Sequence, residues 1–531
     1  MSGLGRASVL IGAGTLVSRI TGLLRSVVLV SAIGAAASAD AFTVANQLPN
    51  SIYLIVSTGL LTAVIVPQIV SASKAPDGGS AFISKLFTLG AMILLAVTVV
   101  AVLCAPLLVQ VYSSGFTDAQ LHLATVFAYW CLPQILFYGI YALVGETLNA
   151  RRIFGPYTWA PIVNNIVSIA GFVVFIVLFG GGEPGVDTWS GDMIAVIGAF
   201  TTGGIVLQAA VLLAFWPRTR LDLRPDFAWR GVGLRNVGRL AGWTFLMMLV
   251  GQLAAIVQLN VYSTATAAHE PGAAIANSTS LIFILPYSII ALSIGTPYFT
   301  QLSEHVVAGR FAEIPKDVST SIRVTSLLIV LSTAAFAAAS VPLSRVFTTS
   351  PEQAGEAALV LLGFLVGLIP IGMLFTVQRT FYAYNDTRTP FLFTLVQAAI
   401  AAGLAAAALA LPADIRTAGV ALGQSVSIIV QLVLATILLR RKVGDLRVRT
   451  WLIALARFVG AAIPAGLAGW GVFLLLGGAS GWTTDDQLLG AVGALIVCAA
   501  TAVVYFAVLA LLRTPELAPV GALVRRVLPK R

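Results

Sequence analysis

Long apolar blocks follow one another along almost the whole chain, and polar positions collect in the short gaps between them. Fourteen such blocks lie at 8–34, 43–70, 84–113, 121–149, 157–180, 192–216, 236–263, 272–302, 318–346, 355–382, 390–411, 416–439, 451–477 and 486–512. Each is long enough to cross the ~30 Å hydrocarbon core. Lipid offers no partner for backbone N–H and C=O groups, so the spanning form is helical. The pattern predicts an all-α integral membrane protein with about 14 transmembrane helices.

Prolines recur at matched depths in two stretches of these blocks. Pro49 pairs with Pro286, Pro106 with Pro342, Pro133 with Pro370 and Pro156 with Pro390, at offsets of 237, 236, 237 and 234. Their surroundings agree as well: QLPNSIYLIVSTG (47–59) is like ILPYSIIALSIG (284–295), and APLLVQVYSSGFTDA (105–119) is like VPLSRVFTTSPEQA (341–354). Four ordered matches point to a duplicated six-helix unit. An even helix number gives both copies the same topology, so the halves are parallel repeats around a central cavity. The predicted organisation is an N-terminal bundle at 1–217, a basic linker at 218–235 and a second bundle at 236–440. Two extra helices follow at 441–512, then a basic tail at 513–531.

Composition agrees with this reading. The 531 residues are 58% hydrophobic and 10% charged, against about 25% charged in soluble domains. The formal net charge is +10, a value that taken alone points to nucleic acid. Placement excludes that. With the N-terminus in the cytoplasm, 27 of the 31 Lys and Arg residues fall on the cytoplasmic side, and only Arg345 and Arg416 fall outside. This is the positive-inside pattern, with both termini cytoplasmic and the basic residues facing anionic phospholipid.

The remaining two cations, Arg19 and Arg25, sit inside the first block. A charge at bilayer depth costs at least ~2.5–3.5 kcal/mol, so each must face water, a ligand or a partner charge. Six residues apart, they are separated by about 240° and about 9 Å on a straight helix, and only a bend at Gly22 aims both inward. One reading is a site for anionic cargo. In the other, Arg25 pairs with Asp40 or snorkels while Arg19 braces helix packing. Asn46, Gln47 and Asn50 surround Pro49 and serve either as neutral cargo donors or as caps for carbonyls freed by the proline. Glu146 precedes Arg151 and Arg152, as a coupling group or as a local ion pair. Asp386 and Arg388 lie in a turn, Asn-Asp-Thr-Arg-Thr-Pro, whose chemistry explains them; a gate is the alternative. Asn164 and Asn165 are placed to hydrogen-bond between helices.

Other chemistries lack their motifs. There is no GxxxxGK[ST] for ATP and no HExxH. His122, His269 and His305 are scattered at block ends, and Cys104, Cys131 and Cys498 lie in apolar runs without CxxC spacing. No metal, cofactor, catalytic or nucleic-acid site is expected. Asp485 and Asp486 read as capping charges ahead of the last block.

Several strings carry a family resemblance: SRITGLLR (18–25), ADAFTVANQLPN (39–50), VPQ (66–68), LNARRIFGPYTWAPIVNN (148–165) and FYAYNDTRTP (381–390). In order and position they resemble the MurJ/MviN family of the MOP exporter superfamily. The resemblance implies a lipid II flippase of the bacterial plasma membrane, acting in peptidoglycan biosynthesis and cell shape. Its cargo is a polyprenyl-pyrophosphate-linked disaccharide-pentapeptide, moved to the outer leaflet by alternating access. It implies a cargo-binding set of Arg19, Arg25 and Asp40, coupling to membrane potential or an ion gradient, and contact with cell-wall synthesis and division proteins. Guanidinium suits such cargo because it forms paired, charge-assisted bonds to phosphate. The chain departs from the family at Tyr53, Leu54 and Thr58-Gly59, where that family has two arginines and then Glu-Gly, and at Ser280, Leu281 and Ile284, where it has D-R-x-x-E. These departures leave open a different polyprenyl glycolipid or amphiphile as cargo, or a non-transporting scaffold for wall synthesis.

Overall fold

A computed structural model describes residues 3–60, 77, 79–151, 153, 155–228 and 234–517. Residues 61–76, which include the end of the second predicted block and the VPQ string, lie outside the described residues, as do 229–233 of the basic linker and 518–531 of the tail. The described residues are helical almost throughout, and no strand occurs among them. Among the described residues, thirteen helices are long and apolar enough to cross a membrane. The helix of the second block is described as far as Leu60.

Contacts divide the chain into two compact units, Met1–Ala274 and Ile275–Arg531. The first holds α1 (Gly3–Ile33), α2 (Ala37–Leu60), α3 (Ser80–Leu103), α4 (Ala105–Tyr112), α5 (Asp118–Cys131), α6 (Gln134–Ala150), α7 (Gly155–Phe179), α8 (Gly191–Ala214) and α9 (Leu234–Ala267). Packing therefore groups the seventh predicted block with the first unit, because α9 lies along α2 and α4. The chain crosses to the second unit within α10 (Ala273–Pro286). After it come α11 (Leu292–Val307), α12 (Ile314–Ala338), α13 (Ser340–Arg345), α14 (Pro351–Leu365), α15 (Leu368–Ala383), α16 (Arg388–Ala407), α17 (Ala413–Val443), α18 (Val448–Leu475) and α19 (Gln487–Leu511).

The duplication read from the prolines reappears as matched helix breaks. Cys104 interrupts α3 and α4, with Pro106 in the first turn of α4; Ala339 interrupts α12 and α13, with Pro342 close behind. A proline lacks the N–H that continues a helix, so each begins a new one. The next helix starts alike in both copies. Thr117 caps α5 by accepting from the Gln120 backbone N–H at 3.4 Å, and Ser350 caps α14 by accepting from that of Gln353 at 3.3 Å. The two glutamines reach back in turn: Gln120 Oε1 accepts from the N-cap Thr117 N–H, which completes a capping box, and Gln353 Oε1 accepts from the N–H of Thr349, one residue before its N-cap. One pair of repeats differs. α2 runs through Pro49 as an α-helix, whereas α10 ends at Pro286 in a single π turn, Tyr287–Ala291.

Arg345 explains its exceptional position on the outer side of the charge map. It is 5% exposed and donates to the carbonyls of Thr348 (2.6 Å), Thr484 (2.7 Å) and Asp485 (2.8 Å), fastening α13 to the turn before α19. Asp486 caps α19 by accepting from the Leu489 N–H at 2.8 Å, as its place in the sequence predicts. Each unit also exposes bare leucines and valines along its helices, such as Leu103, Val177, Leu475 and Leu495. In a membrane these face lipid.

Candidate functional site

One face of α1 is built from small residues that let α7 approach. A Cβ on Gly14 would meet the Trp159 ring at 2.7 Å, and Asn165 of α7 donates to the Ser18 carbonyl (3.2 Å) and to Thr21 Oγ1 (2.9 Å). Asn165 thus makes the interhelical bond that its sequence position predicts, and Asn164 lies in the other seam of α7, against Gly204 of α8. α1 continues as one helix through Gly22. The unbroken rotation keeps Arg19 and Arg25 on different faces. Arg25 extends the stripe of Ser18 and Gly22 and is half-buried, whereas Arg19 is exposed and has no hydrogen bond or ion pair among the described residues.

Arg25 lies within electrostatic reach of the Tyr138 phenol on α6. The Tyr138 ring stacks on Tyr53 of α2, with centroids 5.6 Å apart, and the Tyr53 phenol bonds to the Ser57 hydroxyl. One turn along α6, Tyr141 stacks on Tyr157 of α7 (4.9 Å) and donates to the Tyr157 carbonyl at 2.8 Å. The half-buried Glu146 carboxyl is in electrostatic reach of Tyr53, Tyr141 and Tyr157. Arg152, one of the two partners expected for it, lies outside the described residues. The first unit therefore gathers one guanidinium, one carboxyl and four phenols from α1, α2, α6 and α7. Phenols donate and accept hydrogen bonds and offer flat apolar faces, which suits phosphate oxygens, sugar hydroxyls and sugar rings together. Tyr53 in place of a family arginine is part of this cluster. Tyr138, Tyr141 and Tyr157 were not legible as site residues, although Tyr138 and Tyr141 recur at helical spacing just ahead of Glu146.

Asp40 lies elsewhere. It is 1% exposed at the start of α2, and its oxygens accept from the Thr266 hydroxyl at the end of α9 and from the Ala274 backbone N–H at the start of α10. Tyr53 is 13 residues, about 20 Å, further along the same helix. Asp40 consequently pins the α9–α10 junction and does not pair with Arg25. Gly272 is required there: a Cβ would meet Thr266 Oγ1 at 1.9 Å and Asp40 Oδ2 at 2.1 Å. Asn46 and Gln47 are half-buried and Asn50 is exposed; none of the three makes a hydrogen bond among the described residues, so they do not cap carbonyls near Pro49.

In the second unit, Asp386 sits in the α15–α16 turn. It accepts from Lys442 Nζ (2.5 Å), the Thr389 N–H (3.0 Å) and Thr389 Oγ1 (2.9 Å), while Lys442 lies over the rings of Tyr384 (5.3 Å) and Phe381 (5.7 Å). Burial alone would raise this carboxyl, but the bonds from Lys442 and Thr389 outweigh it and hold it below its ordinary value. Arg388, at the start of α16, is exposed.

Two helical units, helices long enough to span a bilayer and an Arg–Tyr–Glu cluster within one of them define a multi-pass membrane transporter. The sequence profile described as "Lipid II flippase MurJ" matches residues 29–482, and the chain belongs to that family. A relative from Rhizobium tropici, a "Probable lipid II flippase MurJ", is 26% identical over 411 residues, covering 74% of this chain and 73% of its own. Among solved structures, "Lipid II flippase MurJ, inward closed conformation" superposes with a TM-score of 0.74 at 19% identity, over 95% of this chain and 98% of that one. An inward-facing multidrug resistance MATE transporter of the MOP superfamily superposes at 0.65 with 16% identity, over 81% and 95%. The all-α membrane fold and the family expected from the sequence are thus both found.

Proposed function

We propose that the chain is a lipid II flippase of the bacterial plasma membrane, moving the lipid-linked peptidoglycan precursor from inner to outer leaflet by alternating access. The observation that carries this reading is the family match across 29–482. The termini are cytoplasmic in this proposal, as the charge distribution requires. Arg25 meets the pyrophosphate, and Tyr53, Tyr138, Tyr141 and Tyr157 supply neutral donors and ring faces to the rest of the head group. Arg19 contributes from the exposed face of α1. Membrane potential or an ion gradient supplies the driving force, and Glu146 is the coupling candidate in the first unit. Depletion in cells, or reconstitution in proteoliposomes, tests the reading by following appearance of the precursor in the far leaflet. Translocation should stop on depletion and should fall at least tenfold in Arg25→Ala, the size of one charge-assisted phosphate contact. Unchanged translocation in both experiments would sink the proposal, and normal growth of Arg19→Ala and Arg25→Ala cells would favour a scaffold.

A second reading has its own support: Tyr53, Leu54 and Leu281 stand where the family places charges. On this reading the cargo is a different polyprenyl glycolipid or amphiphile. Competition for binding among native lipid extracts separates the two, and preference for a non-peptidoglycan lipid decides for the second.

A further inference from the structure

The second unit holds a half-buried cation that the flippase reading does not use. Arg379 is half-buried on α15, one turn from its C-terminal end. Its guanidinium lies over three aromatic rings: Phe375 at 5.1 Å, Phe299 of α11 at 5.3 Å and Tyr382 at 5.9 Å. Tyr287, the first residue of the π turn, is also in electrostatic reach and meets the Phe375 ring edge to face at 6.2 Å. Gly295 lets this cage close, because a Cβ there would meet Phe375 Cε1 at 2.3 Å. Gln378 donates to the Tyr382 hydroxyl at 2.9 Å and fixes that ring.

What the cage lacks is an acceptor. Ring faces stabilise a cation from below, but they leave the five N–H donors at the guanidinium edge unbonded. Among the described residues Arg379 has no carboxylate in ion-pair distance and no hydrogen bond, unlike Arg345 with its three carbonyls and Arg323 with Glu516 at 2.7 Å. A guanidinium seated on aromatic rings with its planar edge free of protein acceptors is the donor set for a phosphate. The repeat adds an independent observation. Phe375 stands at the Tyr138 position of the second copy, by the 237-residue offset of Pro133 and Pro370. In each unit, then, an arginine accompanies the same aromatic position, although it is supplied by α1 in one and by α15 in the other. π turns concentrate at functional positions, and the second copy has one here.

We propose that Arg379, seated on its aromatic cage, binds the phosphate of an anionic lipid head group in the second unit. The inference rests on the flippase reading only for the class of anion; its test reads binding and not transport, so either can fail alone. The full chain in neutral phosphatidylcholine nanodiscs is titrated with a short-chain polyprenyl pyrophosphate, with the matching polyprenol and with inorganic pyrophosphate, and the melting midpoint of each variant is recorded. Arg379→Ala should weaken the polyprenyl pyrophosphate about tenfold or more, with Arg379→Lys between it and the parent and polyprenol binding unchanged. Should Arg379→Ala not fold, Arg379→Lys and Phe299→Leu carry the test, each with weakened binding expected. Full affinity for polyprenyl pyrophosphate in the folded variants overturns the proposal and leaves Arg379 as a snorkelling residue. Inorganic pyrophosphate binding as tightly as the lipid form overturns it in favour of a free-anion site.

Discussion

Replacing Asp40 with alanine strands two donors in a fully buried junction, the Thr266 hydroxyl and the Ala274 backbone N–H. The two are not equivalent. Thr266 can turn to the Tyr262 carbonyl, 3.2 Å away, whereas the N–H at the start of α10 has no second acceptor among the described residues. An unpaired buried donor costs about 1–3 kcal/mol and a lost but replaceable hydrogen bond about 1 kcal/mol, so Asp40→Ala should destabilise the protein by about 2–4 kcal/mol. Asp40→Asn should cost under about 1 kcal/mol. Its amide oxygen accepts from Ala274, its NH2 faces Thr266 Oγ1, and that hydroxyl still donates to Tyr262. The ordering Ala well below Asn, with Asn near the parent, is the signature of an acceptor that pins a helix junction. A carboxylate that meets cargo or balances Arg25 would show the reverse: no thermal change in either variant, and loss of function in both. Thermal unfolding of the detergent-solubilised protein, read beside translocation in proteoliposomes, separates the two. An Asp40→Ala variant that melts with the parent while both variants lose translocation would refute the reasoning.

Gly272→Ala should destabilise the same junction by about 1–3 kcal/mol through overpacking against Thr266 and Asp40, seen as a lowered melting midpoint. Arg345→Ala leaves three carbonyls without a donor, those of buried Thr348 and Thr484 among them, and should cost about 2–4 kcal/mol, partly recovered in Arg345→Lys, with cargo binding unaltered. Asp386 is held below its ordinary carboxyl value, so its contribution is complete above the unfolded value of about 3.9 and is lost as pH falls through the lower folded value. Acid melts should therefore show a loss of stability below about pH 4 that is smaller in Asp386→Asn. Glu146→Gln should fold normally and slow translocation under an imposed pH gradient; an unaltered rate removes Glu146 from coupling.

The features legible in the sequence were those written in periodic or local terms. Apolar block length carried the helices, and proline offsets carried the duplication down to its helix breaks. Asp486 and the Asn-Asp-Thr turn are local chemistry and fall where expected. Partnerships across the sequence were not legible. Asp40 lies near Arg25 in the chain, which suggested a pair, but its partners Thr266 and Ala274 arrive from the other end of the first unit. Arg345 looked like a violation of the charge rule because the carbonyls it serves belong mainly to the turn before α19. Arg379 was counted among the cytoplasmic cations, although Phe375 and Tyr382 stand four before and three after it on one helical face. That spacing was the available signal; the third ring, Phe299, comes from another helix.

On the proposed function, the opposing demands of capture and release account for how little fixed charge the first unit holds. A carrier must bind its cargo on one side and let it go on the other, so each added cation that deepens the bound state also raises the barrier to leaving. Where the family places an arginine, this chain has Tyr53, stacked on Tyr138 and hydrogen-bonded to Ser57. A phenol costs far less to desolvate than a guanidinium and still donates to a phosphate oxygen. One cation flanked by neutral donors keeps the recognition of an anion while lowering the depth of the well. The cost of burying charge in lipid favours the same arrangement, since Arg25 stands close to the Tyr138 phenol and is already half-buried. Substituting Tyr for Arg at position 53 is thus a change in the balance between affinity and turnover, and a phosphate-bearing cargo remains compatible with it.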